Sequence, residues 1–355
     1  MRVVITGAGG FLGWHTRVAG LEAGSAITAL GLGDALVQSD AIAQLNGAAR
    51  VIHLAGVNRG TDAEVRDGNL HFARQLADAL VRAESPPRVI VFANSTQVGN
   101  GSVYGRAKED AAQILAVAAA EVGAEFVDVL LPNLFGEHGL PFYNSVTATF
   151  CHLLASGGCP EVKNDKELTL LHAQDAADVL LGAVPVRDLP QLTRPETVSG
   201  LLTRLTEISA IYRRGEIPDI STTFERDLFN TYRSFAFGER SAIPLVRHAD
   251  ARGSFFETLR SHGGAGQSSF STTVPGVTRG DHFHRRKIER FTVLSGRATI
   301  ALRRVLTGEV VEVEIDGDAP VSVDMPTMWA HNITNTGDDL LFTSFWINEL
   351  FDPER

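Results

Sequence analysis

The sequence predicts two domains, a doubly wound parallel α/β sheet followed by an all-β barrel. The chain has 355 residues, which is more than an ordinary single domain holds. Its first half alternates short apolar runs with helix-like sequence, and from about Phe255 onward helical periodicity gives way to short alternating segments. We place the two domains at residues 1–240 and 241–355, with a hinge at residues 237–241.

The predicted strands of the first half are short apolar runs, and helix-like sequence lies between them. Strands are predicted at 2–5, 51–54, 88–92 and 127–130, and helices at about 11–22, 70–82 and 108–122. Apolar strands that alternate with helices are typical of a parallel sheet covered on both faces. Residues 140–235 show a mixed pattern that predicts no order of elements.

The second half reads as strands joined by tight turns. Alternating segments predict strands at 290–294, 298–302 and 310–313. Pairs of turn residues that contain glycine lie at 295–296, 307–308, 316–317 and 336–337. This pattern predicts an antiparallel barrel or sandwich.

Composition and charge exclude several classes of protein. A hydrophobic content of 44% with 21% charged residues is ordinary for a globular chain and excludes wholesale disorder. The net charge is −10, and the longest basic run is the one at 285–287, so no nucleic-acid partner is expected.

The cysteines and the N-terminus bear on the compartment. Cys151 and Cys159 do not make a disulfide framework, and their setting predicts buried thiols in a reducing compartment. The N-terminus enters a strand without a signal-peptide pattern, and no stretch of about 18 apolar residues lacks charge. We therefore expect a cytoplasmic protein without a membrane span.

A glycine-rich turn follows the first predicted strand and opens the first predicted helix. Gly7, Gly10 and Gly13 permit a tight turn and let backbone N–H groups approach a pyrophosphate at the helix N-terminus. A glycine-rich turn alone is weak support. The order strand, loop and helix raises it to a prediction of a dinucleotide site.

A tyrosine and a lysine four residues apart give an independent signal. On a helix, Tyr104 and Lys108 share one face. A nearby cation lowers the pKa of a phenol, which favours Tyr104 as a proton donor near neutral pH. Ser95 and Thr96, at the end of the third predicted strand, offer hydroxyl groups that can hold a carbonyl oxygen.

These residues, with the segment 53–56 and Asn69, resemble the extended short-chain dehydrogenase/reductases, which have a Rossmann-type fold. The resemblance implies that Tyr104 is the acid, that Lys108 holds the nicotinamide ribose and tunes Tyr104, and that Ser95 or Thr96 binds the substrate oxygen. The implied cofactor site consists of Gly7, Gly10, Phe11, Leu12, Gly13, Leu54, Ala55, Gly56, Tyr104 and Lys108.

The resemblance also implies a nucleotide sugar as substrate. The segment 132–136 is similar to one that contacts a nucleotide-sugar diphosphate, with Asn133 as the candidate, and Asn58 and Arg59 are further candidate substrate residues. The choice between NAD and NADP stays open, because the region 27–34 has neither an acid nor a basic residue in a clear position. Asp34 could bind a free ribose hydroxyl, or Arg17 could reach a phosphate. We expect NADPH, with NADH as the alternative.

A metal-ligand pattern lies in the predicted all-β domain. Its positions are Gly276, His282, His284, Glu289 and Gly296, followed by Pro326, His331 and Asn335. Two histidines two residues apart on a strand point to the same face, and a carboxylate and a third histidine from other strands complete a four-ligand pocket. The predicted ligands are therefore His282, His284, Glu289 and His331. Zinc is favoured, although this donor set suits iron and manganese about equally on ligand type.

The metal pattern resembles that of the cupin fold. Met328 and Pro320 stand at two positions where the family has glycine. A closed four-ligand zinc site is often structural, whereas cupins commonly leave a coordination position open. The sequence therefore does not decide whether the metal is catalytic or structural.

The whole chain is similar to the bifunctional capsular-polysaccharide enzymes that make UDP-2-acetamido-2,6-dideoxy-L-talose, a precursor of UDP-N-acetyl-L-fucosamine. Besides the two motifs, the resemblance is carried by residues 53–59, 132–136, 143–146, 149–151, 167–170, 250, 252–255, 346, 348–349 and 351–353. It implies that the cupin domain epimerises C3 of a UDP-4-keto-6-deoxy-N-acetylhexosamine and that the first domain then reduces C4 with NAD(P)H. Lys287 is a candidate acid/base or enolate-binding group, and Arg279 and Asp324 are weaker candidates.

Two other functions compete with this one. The cupin domain could be only a metal-stabilised dimerisation module, since cupins tend to pair and a homodimer is expected. The chain could also be a nucleotide-sugar or redox sensor built on inactive enzyme domains. The presence of Tyr104, Lys108 and a hydroxyl group argues against the sensor.

Overall fold

The computed structural model describes residues 1–238 and 240–350. These residues form two compact units. The first contains Met1–Leu134 and Thr169–Pro195, and the second contains Phe135–Leu168 and the chain from Glu196 onward. The compact units therefore do not divide the chain at residue 240, and the division into two functional domains there stays a prediction. Residue 239 of the predicted hinge and residues 351–353 lie outside the described residues.

The first unit contains a five-stranded sheet with the order β2-β1-β3-β4-β5, and all four pairings are parallel. Its strands are β1 (Arg2–Thr6), β2 (Ala26–Leu30), β3 (Arg50–His53), β4 (Val89–Ser95) and β5 (Glu125–Leu131). The helices between them are α1 (Phe11–Glu22), α2 (Gln38–Leu45), α3 (Asp62–Val81) and α4 (Val103–Glu121). The predicted parallel α/β sheet is confirmed.

Local capping explains where two helices begin. Helix α3 begins well before the predicted residue 70 because the Thr61 hydroxyl accepts a hydrogen bond from Glu64 N, while the Glu64 carboxylate accepts one from Thr61 N. Helix α4 begins at Val103 because Ser102 Oγ accepts from Gly105 N at 3.0 Å. The predicted start at residue 108 was therefore too late, and Tyr104 and Lys108 both lie on α4.

The middle of the chain, for which no order was predicted, contributes to both units. Its elements are β6 (Asn133–Phe135), α5 (Val146–Ala155), β7 (Glu167–His172), α6 (Ala173–Leu181), α7 (Leu189–Leu192), β8 (Arg194–Thr197), α8 (Val198–Tyr212) and α9 (Thr223–Ala236). Helix α6 packs against α1 in the first unit, whereas α5, α8 and α9 pack together in the second. The pattern is mixed because neighbouring segments pack into different cores.

The parallel sheet is covered on both faces by apolar side chains. One core contains Val3, Ile5, Val91, Val129 and residues of α6, and the other contains Val4, Ile90, Phe92 and residues of α3 and α4. Alternate residues of one strand thus enter opposite cores, as the period of a strand requires.

The second unit contains two antiparallel sheets with the orders β12-β19-β14-β17-β9 and β13-β18-β15-β16, and a hairpin of β10 and β11. The strands are β9 (Ile243–Pro244), β10 (His248–Asp250), β11 (Gly253–Phe255), β12 (Gln267–Thr273), β13 (Thr278–His282), β14 (Glu289–Ser295), β15 (Arg297–Arg304), β16 (Val310–Asp316), β17 (Val321–Met325), β18 (Trp329–Asn335) and β19 (Leu341–Ile347). Their inner side chains form one apolar core. The predicted all-β region is confirmed, with an arrangement consistent with a cupin-like jelly roll.

Two further expectations concern cysteines and membranes. Cys151 is buried, and burial raises the pKa of its thiol, but Cys159 is exposed, so the prediction of two buried thiols was wrong for Cys159. Cys159 is exposed because it follows the end of α5 in a glycine-rich segment. Within the described part of the chain, no helix has the length and apolar character needed to cross a membrane.

Candidate active site and metal centre

The glycine-rich turn joins β1 to α1 with little room for side chains. Gly7 has a positive φ of 67°, and a Cβ there would lie 2.7 Å from the Ala55 nitrogen. A Cβ at Gly13 would collide with the Gly7 carbonyl oxygen. Gly10 N donates to that oxygen at 3.0 Å. The backbone at the start of α1 is therefore open to a phosphate group, as a dinucleotide site requires.

The segment after β3 is held against this turn by Thr6, which sequence reasoning missed. Leu54 N and Ala55 N donate to Thr6 Oγ1 at 3.2 and 3.3 Å, and the same hydroxyl is hydrogen-bonded to His53 Nδ1 at 2.8 Å. Burial and the nearby Lys108 lower the pKa of His53 to about 3, so the ring is neutral. A small polar residue at the end of an apolar strand was the available signal.

Asn69 holds the far side of the same segment. Its Nδ2 donates to the carbonyl oxygens of Val57 and Val65 at 2.6 and 2.7 Å. The predicted cofactor residues Leu54, Ala55 and Gly56 thus lie on a fixed loop at the carboxyl edge of the sheet, where ligands of doubly wound folds bind.

Lys108 is a buried cation. Its Nζ donates to the Ala93 carbonyl oxygen at 2.7 Å and lies 4.3 Å from the centre of the Phe92 ring. Burial lowers the pKa of Lys108 to about 8, and the carboxylate of Asp128 opposes that shift. The lysine therefore loses its positive charge as pH rises through about 8.

Tyr104 lies one turn before Lys108, on a part of α4 fixed by Gly105. A Cβ at Gly105 would collide with the Gln97 carbonyl oxygen, so glycine allows α4 to approach the loop after β4. Burial raises the pKa of Tyr104. The expected lowering by Lys108 was wrong, because Lys108 Nζ is directed to Ala93 O and to the Phe92 ring.

The hydroxyl candidates differ in exposure. Ser95 is buried at the end of β4, where its Oγ accepts from Gln97 N at 3.2 Å, whereas Thr96 is exposed.

The candidate substrate residues are exposed. Asn133 is exposed and donates to Thr169 O at 3.3 Å. Asn58 and Arg59 are exposed just beyond the loop that Asn69 holds.

The two residues that bear on cofactor choice lie on different elements. Asp34 is exposed on a short 3₁₀ turn after β2, and Arg17 is partly buried on α1. Both positions are compatible with NAD and with NADP.

Asp128 is a further charged residue that sequence reasoning missed. It lies opposite Phe92 in the parallel pairing of β4 and β5, and Asn94 Nδ2 donates to its Oδ2 at 3.1 Å. Paired residues of neighbouring strands share a face of the sheet, so this carboxylate lies on the face over which Lys108 Nζ is held. A charged residue inside an apolar strand was the signal that could have found it.

The four predicted metal ligands come together in the second unit. One donor atom from each of His282, His284, Glu289 and His331 lies within 4.8 Å of the others. Pairing of β13 with β18 sets His282 directly opposite His331, and Glu289 begins β14 in the other sheet. His284 lies two residues beyond the end of β13, so the two histidines do not share a strand as expected.

A break in the pairing of β13 aims His282 into the cluster. The register shifts between Gly280 and His282, and Asp281 has a positive φ of 64°. Its carboxylate accepts from Asn332 Nδ2 at 2.8 Å, which holds the bulge against β18. A Cβ at Gly280 would lie 2.7 Å from the His331 carbonyl oxygen, so glycine is required there.

Hydrogen bonds prepare the cluster for a cation. His331 Nδ1 donates to the Trp329 carbonyl oxygen at 3.1 Å, which leaves Nε2 directed at Glu289, 3.0 Å away. His284 Nε2 lies 3.5 Å from the same carboxylate. Burial works against the ionised carboxylate, but the bonds to His284 and His331 outweigh it and lower the pKa of Glu289 to about 2. Three imidazoles around an anion form a donor set that fits a divalent metal.

Met328 explains one departure from the cupin pattern. It has a positive φ of 62°, the conformation that favours glycine, and its N donates to the His284 carbonyl oxygen at 2.7 Å. The loop geometry is therefore kept with a methionine. At the other departure, the carbonyl oxygen of Pro320 accepts from Leu245 N at 3.0 Å.

The remaining candidates occupy different surroundings. Lys287 is partly buried between His284 and Glu289 in the chain. Arg279 Nε donates to Thr273 Oγ1 at 3.1 Å. Asp324 forms a buried bidentate ion pair with Arg290, at 2.6 and 2.9 Å, so both of its carboxylate oxygens have a partner.

Comparison with known protein families gives one match for each half of the chain. Residues 3–189 match the NAD dependent epimerase/dehydratase family, and residues 248–355 match the polysaccharide biosynthesis C-terminal domain. The chain belongs to the NAD-dependent epimerase/dehydratase family, which implies a nicotinamide dinucleotide cofactor.

Individual relatives extend the match to the whole chain. The UDP-2-acetamido-2,6-beta-L-arabino-hexul-4-ose reductase of Pseudomonas aeruginosa is 31% identical, over 100% of this chain and 97% of that protein. The solved structure of the capsular polysaccharide assembling protein CapF from Staphylococcus aureus has 31% identity and a TM-score of 0.62, over 100% of this chain and 98% of that one. The UDP-glucose 4-epimerase of Thermotoga maritima, at 15% identity, 68% and 100% coverage and a TM-score of 0.54, shows the fold alone.

Proposed function

We propose that this chain is a bifunctional nucleotide-sugar enzyme. Its barrel epimerises C3 of a UDP-4-keto-6-deoxy-N-acetylhexosamine, and its first unit reduces C4, which gives UDP-2-acetamido-2,6-dideoxy-L-talose. The observation that carries the proposal is the presence of two complete sets of site residues in one chain that matches a UDP-4-keto-sugar reductase along its whole length.

In the epimerisation, the C4 ketone acidifies the C3 proton because the resulting charge is delocalised onto O4. A metal held by His282, His284, Glu289 and His331 supplies a Lewis acid when bound. Lys287 is the proposed acid/base or enolate-binding residue, since it lies between two ligands in the chain. The removed proton exchanges with solvent, and delivery of a solvent-derived proton to the opposite face inverts C3.

In the reduction, hydride arrives at C4 and a proton at O4. NADPH, or NADH as the alternative, supplies the hydride when bound. The pKa of Tyr104 is raised by burial, so its phenol keeps its proton at neutral pH and can donate it to O4. Lys108 is the proposed cation that holds the nicotinamide ribose, and the Ser95 hydroxyl, or that of Thr96, holds the carbonyl oxygen. A reaction that consumes reduced nicotinamide cofactor fits a cytoplasmic location.

A product analysis tests both steps at once. The purified protein is incubated in D2O with the UDP-4-keto sugar and NADPH, and the product is examined by NMR. We expect deuterium at C3 and a hydroxyl-bearing carbon at C4. Reduction without deuterium would contradict the epimerase, and deuterium without reduction would contradict the reductase.

A second function for the barrel is a metal-stabilised homodimerisation module. The hairpin of β10 and β11 favours it, because all six residues of the two strands are exposed and Phe255 is 70% exposed. A two-stranded hairpin is marginal in water, and a second copy could cover it. Loss of the dimer on chelation, with C3 exchange unchanged, would support the module and contradict metal-assisted epimerisation.

A further inference from the structure

Three residues that lie outside the predicted cupin domain contact the segments that adjoin the candidate metal ligands. We call Glu137, Asn230 and Arg233 the clamp residues. The first ligand loop, residues 283–288, contains His284 and leads to Glu289. The second ligand loop, residues 326–328, joins β17 to the strand that carries His331. Clamp residues and ligand loops all belong to the second unit.

The contact with the first ligand loop is made by Asn230 on α9. Its Nδ2 donates to the Arg286 carbonyl oxygen at 2.9 Å, and its Oδ1 accepts from an Arg233 amino group at 2.8 Å. Asn230 is almost fully buried, with 2% of its surface exposed. Both ends of this side chain are therefore used, and its rotamer is fixed.

The contacts with the second ligand loop are made by Arg233 and Glu137. Arg233 donates to the Met325 carbonyl oxygen at 3.2 Å, directly before the loop. Glu137, which is fully buried, accepts from Thr327 Oγ1 at 2.8 Å. Burying charged groups is costly unless they are paired, so a buried arginine and a buried glutamate here indicate a specified arrangement.

The two ligand loops are also bonded to each other. Met328 N donates to the His284 carbonyl oxygen at 2.7 Å. A shift of either loop would therefore displace His284, and through Trp329 it would displace the carbonyl oxygen that orients His331. The clamp thus acts on two ligands that it does not touch.

We infer that Glu137, Asn230 and Arg233 are positioning residues for the metal centre, and that tight metal binding requires α9 and the segment after β6 as well as the barrel. The inference rests on the proposed metal site. Groups that orient metal ligands typically change metal affinity by about 10- to 100-fold when they are removed.

Two substitutions at nearly constant size test the clamp. Asn230→Asp keeps an acceptor for Arg233 but cannot donate to Arg286 O, and Thr327→Val removes the hydroxyl that Glu137 binds. The metal dissociation constant is measured by competition between the metal-free protein and a chelator for Zn²⁺, and the coordination geometry is followed by the absorption spectrum of bound Co²⁺. We expect each variant to lose about 10- to 100-fold in affinity and to alter the Co²⁺ spectrum. Thr327→Ser keeps the hydroxyl group, so we expect it to retain the wild-type metal affinity and Co²⁺ spectrum.

A matched control separates positioning from general loss of stability. Ser209→Ala removes the buried hydrogen bond of 2.8 Å between Ser209 on α8 and Tyr232 on α9, and it touches neither ligand loop. We expect it to lower the unfolding temperature without changing the Co²⁺ spectrum. Unchanged affinity in Thr327→Val, or an equal loss in Ser209→Ala, would overturn the clamp while leaving the metal site intact. If the wild-type protein bound no metal, the proposed metal centre itself would be refuted, and the clamp with it.

Discussion

The two candidate sites hold buried charges of opposite sign. In the first unit Lys108 is a cation whose pKa burial lowers to about 8, whereas in the second unit bonds from two histidines lower the pKa of Glu289 to about 2. The first site loses its charge as pH rises through about 8. A metal bound at the second site would be released as pH falls, because histidine must be neutral to bind a metal. We therefore expect C4 reduction to be lost as pH rises and C3 epimerisation to be lost as pH falls.

The two units also differ in backbone conformation. Among residues 1–238 and 240–350, the non-glycine residues with positive φ are His138, Phe142, Asp281, Leu306 and Met328, and all of them belong to the second unit. Asp281 adjoins the ligand His282, and Met328 is bonded to the loop of His284. The first unit places glycine at its tight turn, whereas the candidate metal centre is flanked by non-glycine residues with strained backbones, which is typical of functional sites.

The largest expected effect comes from removing a metal ligand. His282→Ala should lower C3 deuterium exchange by about 10²- to 10³-fold, because stabilisation of the developing enolate is lost. Reduction of a substrate that already has the inverted C3 should change little. The measurement is NMR of both reactions, and His262→Ala, which alters an exposed histidine paired with Glu216, is the control. An equal loss of rate in C3 exchange and in C4 reduction would contradict the assignment of one reaction to each site.

The matching change in the first unit is Tyr104→Phe. Loss of the proton donor should lower C4 reduction by about 10²- to 10⁴-fold and leave C3 exchange intact. Oxidation of NADPH, followed by absorbance, reports the reduction. Reduction at the wild-type rate would mean that another group protonates O4.

A smaller effect should follow from Asp128→Asn. The carboxylate raises the pKa of Lys108 against burial, so its removal lowers that pKa further. Reduction needs the cation, so its alkaline loss should move to lower pH. His53 on β3, which Lys108 also influences, is already neutral because burial and Lys108 lower its pKa to about 3.

The pH profile of kcat/KM for C4 reduction measures this shift. Glu125→Gln alters an exposed carboxylate at the start of the same strand and is the control. An alkaline limb that stays in place in Asp128→Asn would show that Asp128 does not act on Lys108.

The smallest effect concerns the strained backbone of the second unit. Leu306 is 41% exposed and has a positive φ of 62°, so Leu306→Gly should relieve strain in the turn between β15 and β16. We expect a gain of up to about 1 kcal/mol in the free energy of unfolding, reduced by the entropy that glycine loses on folding. Chemical denaturation measures it. A loss of stability would show that the Leu306 side chain contributes more than its strained backbone costs.

The parallel sheet and the clustering of the four candidate ligands were predictable because the first signal is local and the second is a regular spacing. Apolar runs predicted β1, β3, β4 and β5, and the glycine turn predicted the start of α1. The spacing of the histidines and Glu289 predicted a cluster that the structure brings together.

The partners of the residues that support the sites were not predictable from pattern. Polar residues in apolar strands mark Thr6 and Asp128, but their contacts, like those of Glu137, depend on which strands and loops become neighbours. The direction of the Tyr104 pKa was mistaken because burial, which a sequence does not show, determined it. The helices of residues 140–235 resisted ordering because they pack into two different cores.

A mixing experiment tests the central claim, that each site performs one step, most directly. Tyr104→Phe and His282→Ala are combined in D2O with the UDP-4-keto sugar and NADPH, and the product is compared by NMR with that of each variant alone. Our account predicts that only the mixture forms product that is both deuterated at C3 and reduced at C4. Absence of that product from the mixture, or its formation by either variant alone, would contradict the assignment of one step to each site.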